Sequence, residues 1–246
     1  MIVSRYVLAA AIGLITAKSS ESANVESWCD TYPANQVHCY KAITNIKLEN
    51  GKLPGNEYEI RTISDSCSLI VFNSYLIENI TPADITEAVT LHFEKCPHKA
   101  GMITLPSNNK VTVQIKIRAP PDSEWSAWNS DAELNKPYCF RPEAGPTIQS
   151  IDDCIAAYQK FPVDPRTGYM IELVPTPISL VLNSGSCRVR ISTTDGSDIQ
   201  MNKKEVDSAI IGMIKKCGNL PGVVNVNGAE GANGRLFVQT LPASHK

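Results

Sequence analysis

Histidine and cysteine fall together twice in this chain, as His38-Cys39 and Cys96-Pro97-His98, and such pairs could hold a soft metal ion. A structural zinc site closes with four ligands at short, paired spacings. The second half of the chain repeats the cysteines with no histidine beside them, so disulfides explain both halves and zinc explains one. No metal ligand is assigned. Serine hydrolysis asks for a nucleophile, a base and an orienting group. The histidines available are His38, His92, His98 and His245, the last in a terminal segment expected to fray. Asn183-Ser184-Gly185-Ser186-Cys187 reads as a turn entering a strand and lacks the Gly-x-Ser-x-Gly elbow. Asp152-Asp153 are adjacent, so they do not share a helix face; they suit the positive end of a helix dipole. No two carboxylates are placed as glycoside hydrolysis requires. Gly228, Gly231 and Gly234 lack the Gly-Lys-Ser/Thr of a phosphate loop. We therefore assign no catalytic residue and no cofactor, and expect a protein that is not an enzyme.

The chemistry left to the cysteines is oxidation. Arg5, followed by a nearly unbroken apolar run of about 12 residues to Ala17 and then small residues to Ala23, has the layout of a secretory signal. It is too short to span a bilayer, which takes roughly 20 apolar residues. Residues 1–20 are read as the signal peptide, with cleavage between Ala17 and Ala23, and the mature chain as secreted with no stable transmembrane anchor. All eight cysteines lie beyond it, and an even number in an oxidising compartment reads as disulfides. The formal net charge of -2 and the absence of a basic stripe argue against a nucleic-acid partner.

The cysteines also show how the chain is organised. Cys29, Cys39, Cys67 and Cys96 are spaced 10, 28 and 29 apart, and Cys139, Cys154, Cys187 and Cys217 are spaced 15, 33 and 30 apart. Ser66-Cys67-Ser68-Leu69-Ile70-Val71 matches Ser186-Cys187-Arg188-Val189-Arg190-Ile191, and both read as short strands. Each is followed by an amphipathic helix ending in Lys-Cys. Ile85, Val89 and Phe93 mark the first of these, and Val206, Ile210 and Ile214 the second. Thr81-Pro82 is a helix start, and Asn202 can cap the counterpart. Strands flank a turn after each helix, with Val111, Val113, Ile115 and Ile117 expected on one face. A second helix is expected upstream in each half, over 35–46 and 148–161, with Cys39 and Cys154 on its apolar side. The fold class is thus an α/β (α+β) two-layer sandwich with mainly antiparallel sheets, duplicated and disulfide-stabilised. The first unit is placed at 24–119, a Pro/Trp linker at 120–135 and the second unit at 136–244. Each set of four cysteines can close in three ways, and the spacings leave all three open.

With no reaction assigned, function is expected on the surface. Loops held by a cross-linked scaffold present a shaped edge at low ordering cost. The candidate partner-binding residues are Asn108 and Asn109 in the first hairpin turn, Glu230, Asn233 and Arg235 in the glycine-rich second turn, and Trp125 and Trp128 in the linker. The tryptophans have two readings, as glue packed between the halves or as an exposed aromatic anchor. Asn79-Ile80-Thr81 is a glycosylation sequon whose use Pro82 disfavours.

Cys139-Phe140, Asp153-Cys154, Gly185-Ser186-Cys187, the helix near Lys204 to Lys216 and Gly222-Val223 together resemble small secreted fungal domains, the necrosis-inducing effectors with a killer-toxin-like α/β sandwich. The resemblance covers about 100 residues of the second half and more faintly the first. Members commonly carry a cysteine at the end of the last strand, where Thr240-Leu241-Pro242 stands here, and are often single-domain. The resemblance implies a virulence effector or toxin, with no catalytic residues to carry over. Its expected partner is an extracellular host protein, with a papain-like cysteine protease as the target if it is an inhibitor. The alternatives are a cell-wall-active hydrolase and a membrane-acting toxin. A monomer is expected.

Overall fold

The computed structural model describes residues 25–120, 123, 125–129, 132–141, 147–171 and 178–243. The expected signal peptide and His245 lie outside the described residues. The first half runs β1 (Ser27–Pro33), α1 (Gln36–Ile43), β2 (Glu59–Ser64), β3 (Cys67–Phe72), α2 (Pro82–Lys95), β4 (Lys99–Thr104) and β5 (Thr112–Ile117). After a 3-10 turn at Ser126–Trp128, the second half repeats the order. It runs β6 (Tyr138–Cys139), α3 (Ile151–Gln159), β7 (Ser179–Ser184), β8 (Cys187–Thr193), α4 (Lys203–Cys217), β9 (Gly222–Val226) and β10 (Leu236–Pro242).

The two sheets have one topology. The strand orders are β1-β4-β5-β3-β2 and β6-β9-β10-β8-β7, with every strand pair antiparallel. This is the duplicated, disulfide-stabilised α+β sandwich. Local sequence sets the helix starts. Thr81 and Asp84 form a reciprocal capping box with Pro82 in the first turn, and Asn35, Ser150 and Asn202 cap the other three helices. α1 and α3 are shorter than expected; they reach the core through Cys39, Ala42 and Ile43 and through Cys154, Ala157 and Tyr158, and Ile46, Ile148 and Phe161 join it from the segments beyond the helix ends.

Each half has its own core between helices and sheet, with Leu69, Val71, Val89 and Val113 in the first and Val189, Ile191, Ile210 and Val238 in the second. Period-two alternation decides which strand residues enter it. One expectation fails at a strand end: Val111, Val113 and Ile115 are buried, but Ile117 is 42% exposed. It is the last residue of β5, pairs with Cys67 at the margin of the sheet and lies in a surface depression beside the start of α1.

Within each half the disulfides are nested. Cys39–Cys67 ties α1 to the start of β3, and Cys29–Cys96 ties β1 to the end of α2. Cys154–Cys187 and Cys139–Cys217 repeat the pattern, and no cysteine is free. Two closed units follow, as the spacing suggested. Among the described residues no helix is long and apolar enough to cross a membrane.

The inner bridge of the second half closes a loop of 33 residues, which the chain-entropy account values at about 3–4 kcal/mol. The double substitution Cys154→Ala with Cys187→Ala should lower unfolding free energy by about that amount in urea titration, while mass mapping still finds both first-half bridges.

Candidate binding cleft

A serine and a histidine do meet in this fold. His38 Nδ1 lies 2.8 Å from Ser66 Oγ, and Ser66 N donates to the same nitrogen at 3.4 Å. The second half explains the pair. At the equivalent positions, Asp153 Oδ2 accepts from Ser186 Oγ at 2.7 Å and from Ser186 N at 2.8 Å. In both halves the residue before the helix cysteine thus staples the β2–β3 or β7–β8 turn. Asp65 and Gly185 open these turns at φ 49° and 48°. At Gly185 a Cβ would stand 2.3 Å from Asp153 Oδ1, so the staple and the glycine require each other. A carboxylate replaces the imidazole in the symmetry mate, which identifies the histidine as a hydrogen-bond acceptor for a turn. The bonds from Ser186 hold the Asp153 carboxyl below the usual aspartate range.

The two halves meet through a polar joint that the sequence did not announce. Asn233, in the loop between β9 and β10, is its centre. Its backbone N–H and Nδ2 donate to Glu57 Oε1 and Oε2, both at 2.6 Å. Nδ2 also donates to the Lys47 carbonyl at 3.0 Å, and Oδ1 accepts from Lys47 N at 2.8 Å. Lys47 Nζ donates to the Ala232 carbonyl at 2.8 Å. Beside it, the backbone N–H groups of Tyr58 and Glu59 donate to the Asp195 carbonyl at 2.8 and 3.0 Å.

Two carboxylates are sealed into this joint. Glu57 is 0% and Asp195 1% exposed. Ser197 Oγ donates to Asp195 Oδ2 at 2.8 Å, and Gly231 N donates to Ser197 Oγ at 2.8 Å. Gly231 fits between the acids because it has no side chain: a Cβ there would be 1.8 Å from Asp195 Oδ2 and 2.7 Å from Glu57 Oε1. Burial raises the Glu57 carboxyl above the usual range, against the lowering effect of its bonds from Asn233. Repulsion from Asp195 and then Glu49 adds to the rise. Burial likewise raises Asp195, against the donors of Ser197.

Next to this joint the helix-free faces of the two sheets bound a cleft of about 450 Å³. Glu59, Arg61 and Phe72 face it from the first sheet; Arg190, Phe237 and Gln239 face it from the second. The linker supplies one wall. Asn225 Nδ2 donates to the Ala127 carbonyl at 2.9 Å, and Asn129 exchanges bonds with the Ala119 backbone at 3.0 and 3.1 Å. Ser126 and Ala127 are buried by this packing. The segment is therefore a fixed strut, where proline content and polarity had suggested a spacer.

The seven candidate partner residues divide. Trp128, Asn233 and Arg235 line the cleft, and Trp125 stacks against Trp128 at 5.7 Å. Trp128 also touches Phe140 and Phe237, so it packs the linker onto the second half while remaining 37% exposed, whereas Trp125 is 61% exposed. Asn233 is taken up by the joint, and Arg235 Nη1 donates to the Ala132 carbonyl. Those bonds fold the second part of the glycine-rich loop back onto the first half, where Gly231 serves close packing. Glu230 remains exposed outside the cleft lining. Asn108 accepts from Lys110 N at 3.0 Å, and Asn109 is exposed beside it; both line a separate depression with Val25 and Ile77. At the sequon, Asn79 is exposed and bonded by Lys52 Nζ, while the Thr81 hydroxyl is committed to Asp84. The joint residues Lys47, Glu57 and Asp195 were missed. Each sits in a polar stretch that reads as solvated turn, and nothing local marks Glu57 or Asp195 as buried. Among the described residues no group of three or more His, Cys, Asp or Glu side chains could hold a metal ion.

No family model matches the chain, and no curated protein matches it in sequence. Two solved structures align over most of it, both tandem DUF26 ectodomains of Arabidopsis thaliana cysteine-rich receptor-like proteins. With PDLP8 the identity is 8%, covering 89% of this chain and 98% of the other, at a TM-score of 0.28. With PDLP5 it is 11%, covering 87% and 97%, at a TM-score of 0.28. At these scores the likeness adds nothing to the fold or the cleft described above.

Truncating Asn233→Ala removes three side-chain bonds across the joint, one of them to a carboxylate. A loss of about 2–3 kcal/mol is expected, read as a lower denaturation midpoint with all four disulfides intact. The buried acids give a pH signature. A carboxyl raised in the folded state contributes stability below its unfolded pKa and loses it as pH rises through the folded value. Buried His92, held below the usual histidine range by desolvation, acts in the opposite sense, losing stability as pH falls. The two are separable by difference. Relative to wild type, Asp195→Asn should lose less stability between the ordinary carboxylate range and neutrality, seen as a flatter melting temperature against pH.

Proposed function

We propose that this protein is a secreted effector of the fungal killer-toxin-like kind that binds an extracellular host protein through the cleft between its two halves. The observation that carries the reading is the construction of the cleft. Two separately cross-linked units are clamped by buried polar contacts, with linker aromatics and three arginines gathered on the faces the helices leave bare. Four disulfides suit a chain that folds in an oxidising compartment, and the host apoplast is the proposed site of action. Pre-organisation of this kind lowers the ordering cost of association. Inhibition of a papain-like cysteine protease is the narrower form of the proposal. With Asn233 and Arg235 bound internally, such inhibition would use the cleft rim and exposed Trp125.

The test is retention of host extracellular proteins on the immobilised mature protein, compared with Arg190→Glu, followed by titration of purified papain against a fluorogenic peptide. One protein retained by wild type and lost with Arg190→Glu supports the reading, and stoichiometric loss of papain activity supports its narrower form. Sugar release from wall polymer, or leakage of lipid vesicles, with no retained protein would assign the chain to the hydrolase or membrane-toxin class.

A further inference from the structure

Three of the chain's eight arginines, Arg61, Arg190 and Arg235, line the cleft, while none of its lysines does. That separation is chemically informative. A lysine is a point charge, whereas a guanidinium presents a planar fork that matches a carboxylate with two parallel bonds. Charge inside the cleft is unbalanced. Glu59 pairs with Arg61, and no other carboxylate is among the lining residues. Arg190 is exposed at mid-strand, and among the described residues its side chain makes no hydrogen bond or ion pair. With Arg61 paired and Arg235 engaged outside the cleft, Arg190 still leaves a positive group there in a protein whose formal net charge is -2.

The neutral polar groups help to choose the ligand. An oligosaccharide needs many uncommitted amides and hydroxyls, because each of its own hydroxyls must be satisfied on burial. Here Asn225, Asn129 and Asn233 are consumed by backbone partners, Thr193 Oγ1 donates to the Ser197 carbonyl, and Thr194 Oγ1 accepts from Arg235 N. Gln239, Ser74 and Ser192 keep uncommitted side chains, too few for a buried oligosaccharide, and beside them the cleft offers guanidinium and aromatic surface, with Phe72 and Phe237 half-buried and Tyr58 43% exposed. That combination fits carboxylates alternating with apolar groups. Its volume of about 450 Å³ lies within the roughly 300–1,000 Å³ of pockets that enclose small ligands.

We infer that the cleft is a site for a short acidic peptide segment of the protein partner, with a carboxylate side chain received by Arg190 and apolar side chains laid on the flanking aromatic rings. This deepens, and rests on, the reading of the cleft as a protein-binding site. Guanidinium stays charged at all relevant pH, so the attraction persists in acid as long as the ligand's carboxylates remain ionised, and it weakens with salt.

The amide-capped pentapeptide Glu-Phe-Asp-Leu-Glu and its Gln-Phe-Asn-Leu-Gln counterpart serve as probes, with tri-galacturonate as the acidic sugar. Binding is read by calorimetry and by tryptophan fluorescence at low and high salt. The acidic peptide is expected to bind at least about tenfold more tightly than the amide peptide. Its affinity should fall with salt, and Arg190→Gln should lower it about tenfold with the melting temperature unchanged. Arg166→Gln, on a turn outside the cleft, should leave it as in wild type. Equal binding of the two peptides, tighter binding of tri-galacturonate, or indifference to Arg190→Gln overturns the inference. If host-protein retention depends on Arg190 but neither peptide binds, the ligand class is wrong and the protein-binding reading stands. If retention and peptide binding both fail, both are wrong.

Discussion

Two helices laid on a five-stranded sheet of roughly a hundred residues bury limited apolar surface, and a domain of that size is marginal without reinforcement. The nested disulfides answer this constraint. The inner bridge fixes α1 or α3 against the start of the strand beneath it, and the outer one fixes the first strand against the end of α2 or α4. With both helices pinned to one face, the opposite face of each sheet is free to carry polar and aromatic residues without loss of core. Everything proposed about recognition depends on that freedom.

The joint uses it in an unusual way. Apolar interfaces between domains tolerate sliding, but Asn233 meets Glu57 and Lys47 with directional bonds that fix one register. Burying Glu57 and Asp195 is costly, and their carboxyls rise in response. The return is geometric: β2 of one half is held beside the turn at Asp195 of the other, and the two bare faces stand a cleft's width apart.

Much of this architecture was legible in the residues. The repeated cysteine order, the Ser-Cys strand starts and the Lys-Cys helix ends gave the duplication, and Thr81, Pro82 and Asn202 gave helix starts that hold in three dimensions. Period-two alternation placed the inner faces, failing only at Ile117, the last residue of β5. Pairing within each four-cysteine set was not legible, since spacing does not say which ends meet. The cleft was half-visible: Trp128, Asn233 and Arg235 were singled out for a free loop and linker, and they converge in a buried joint and a packed strut. Glu57 and Asp195 could not be found, because burial between two distant segments leaves no periodic trace in either.

The shared strand order also bears on how the chain is made. β5 and β10 are the last strands of their halves in sequence, yet each lies at the centre of its sheet. During synthesis neither sheet can close until its final strand emerges, although all the cysteines of that half have by then appeared. The first half is complete while the second is still growing. Lys47 and Glu57 are then already in place to receive the Gly231 to Arg235 loop, which emerges just before β10. The finished unit can act as a template for its neighbour, giving vectorial assembly in which order of appearance guards against mispairing between two look-alike sheets.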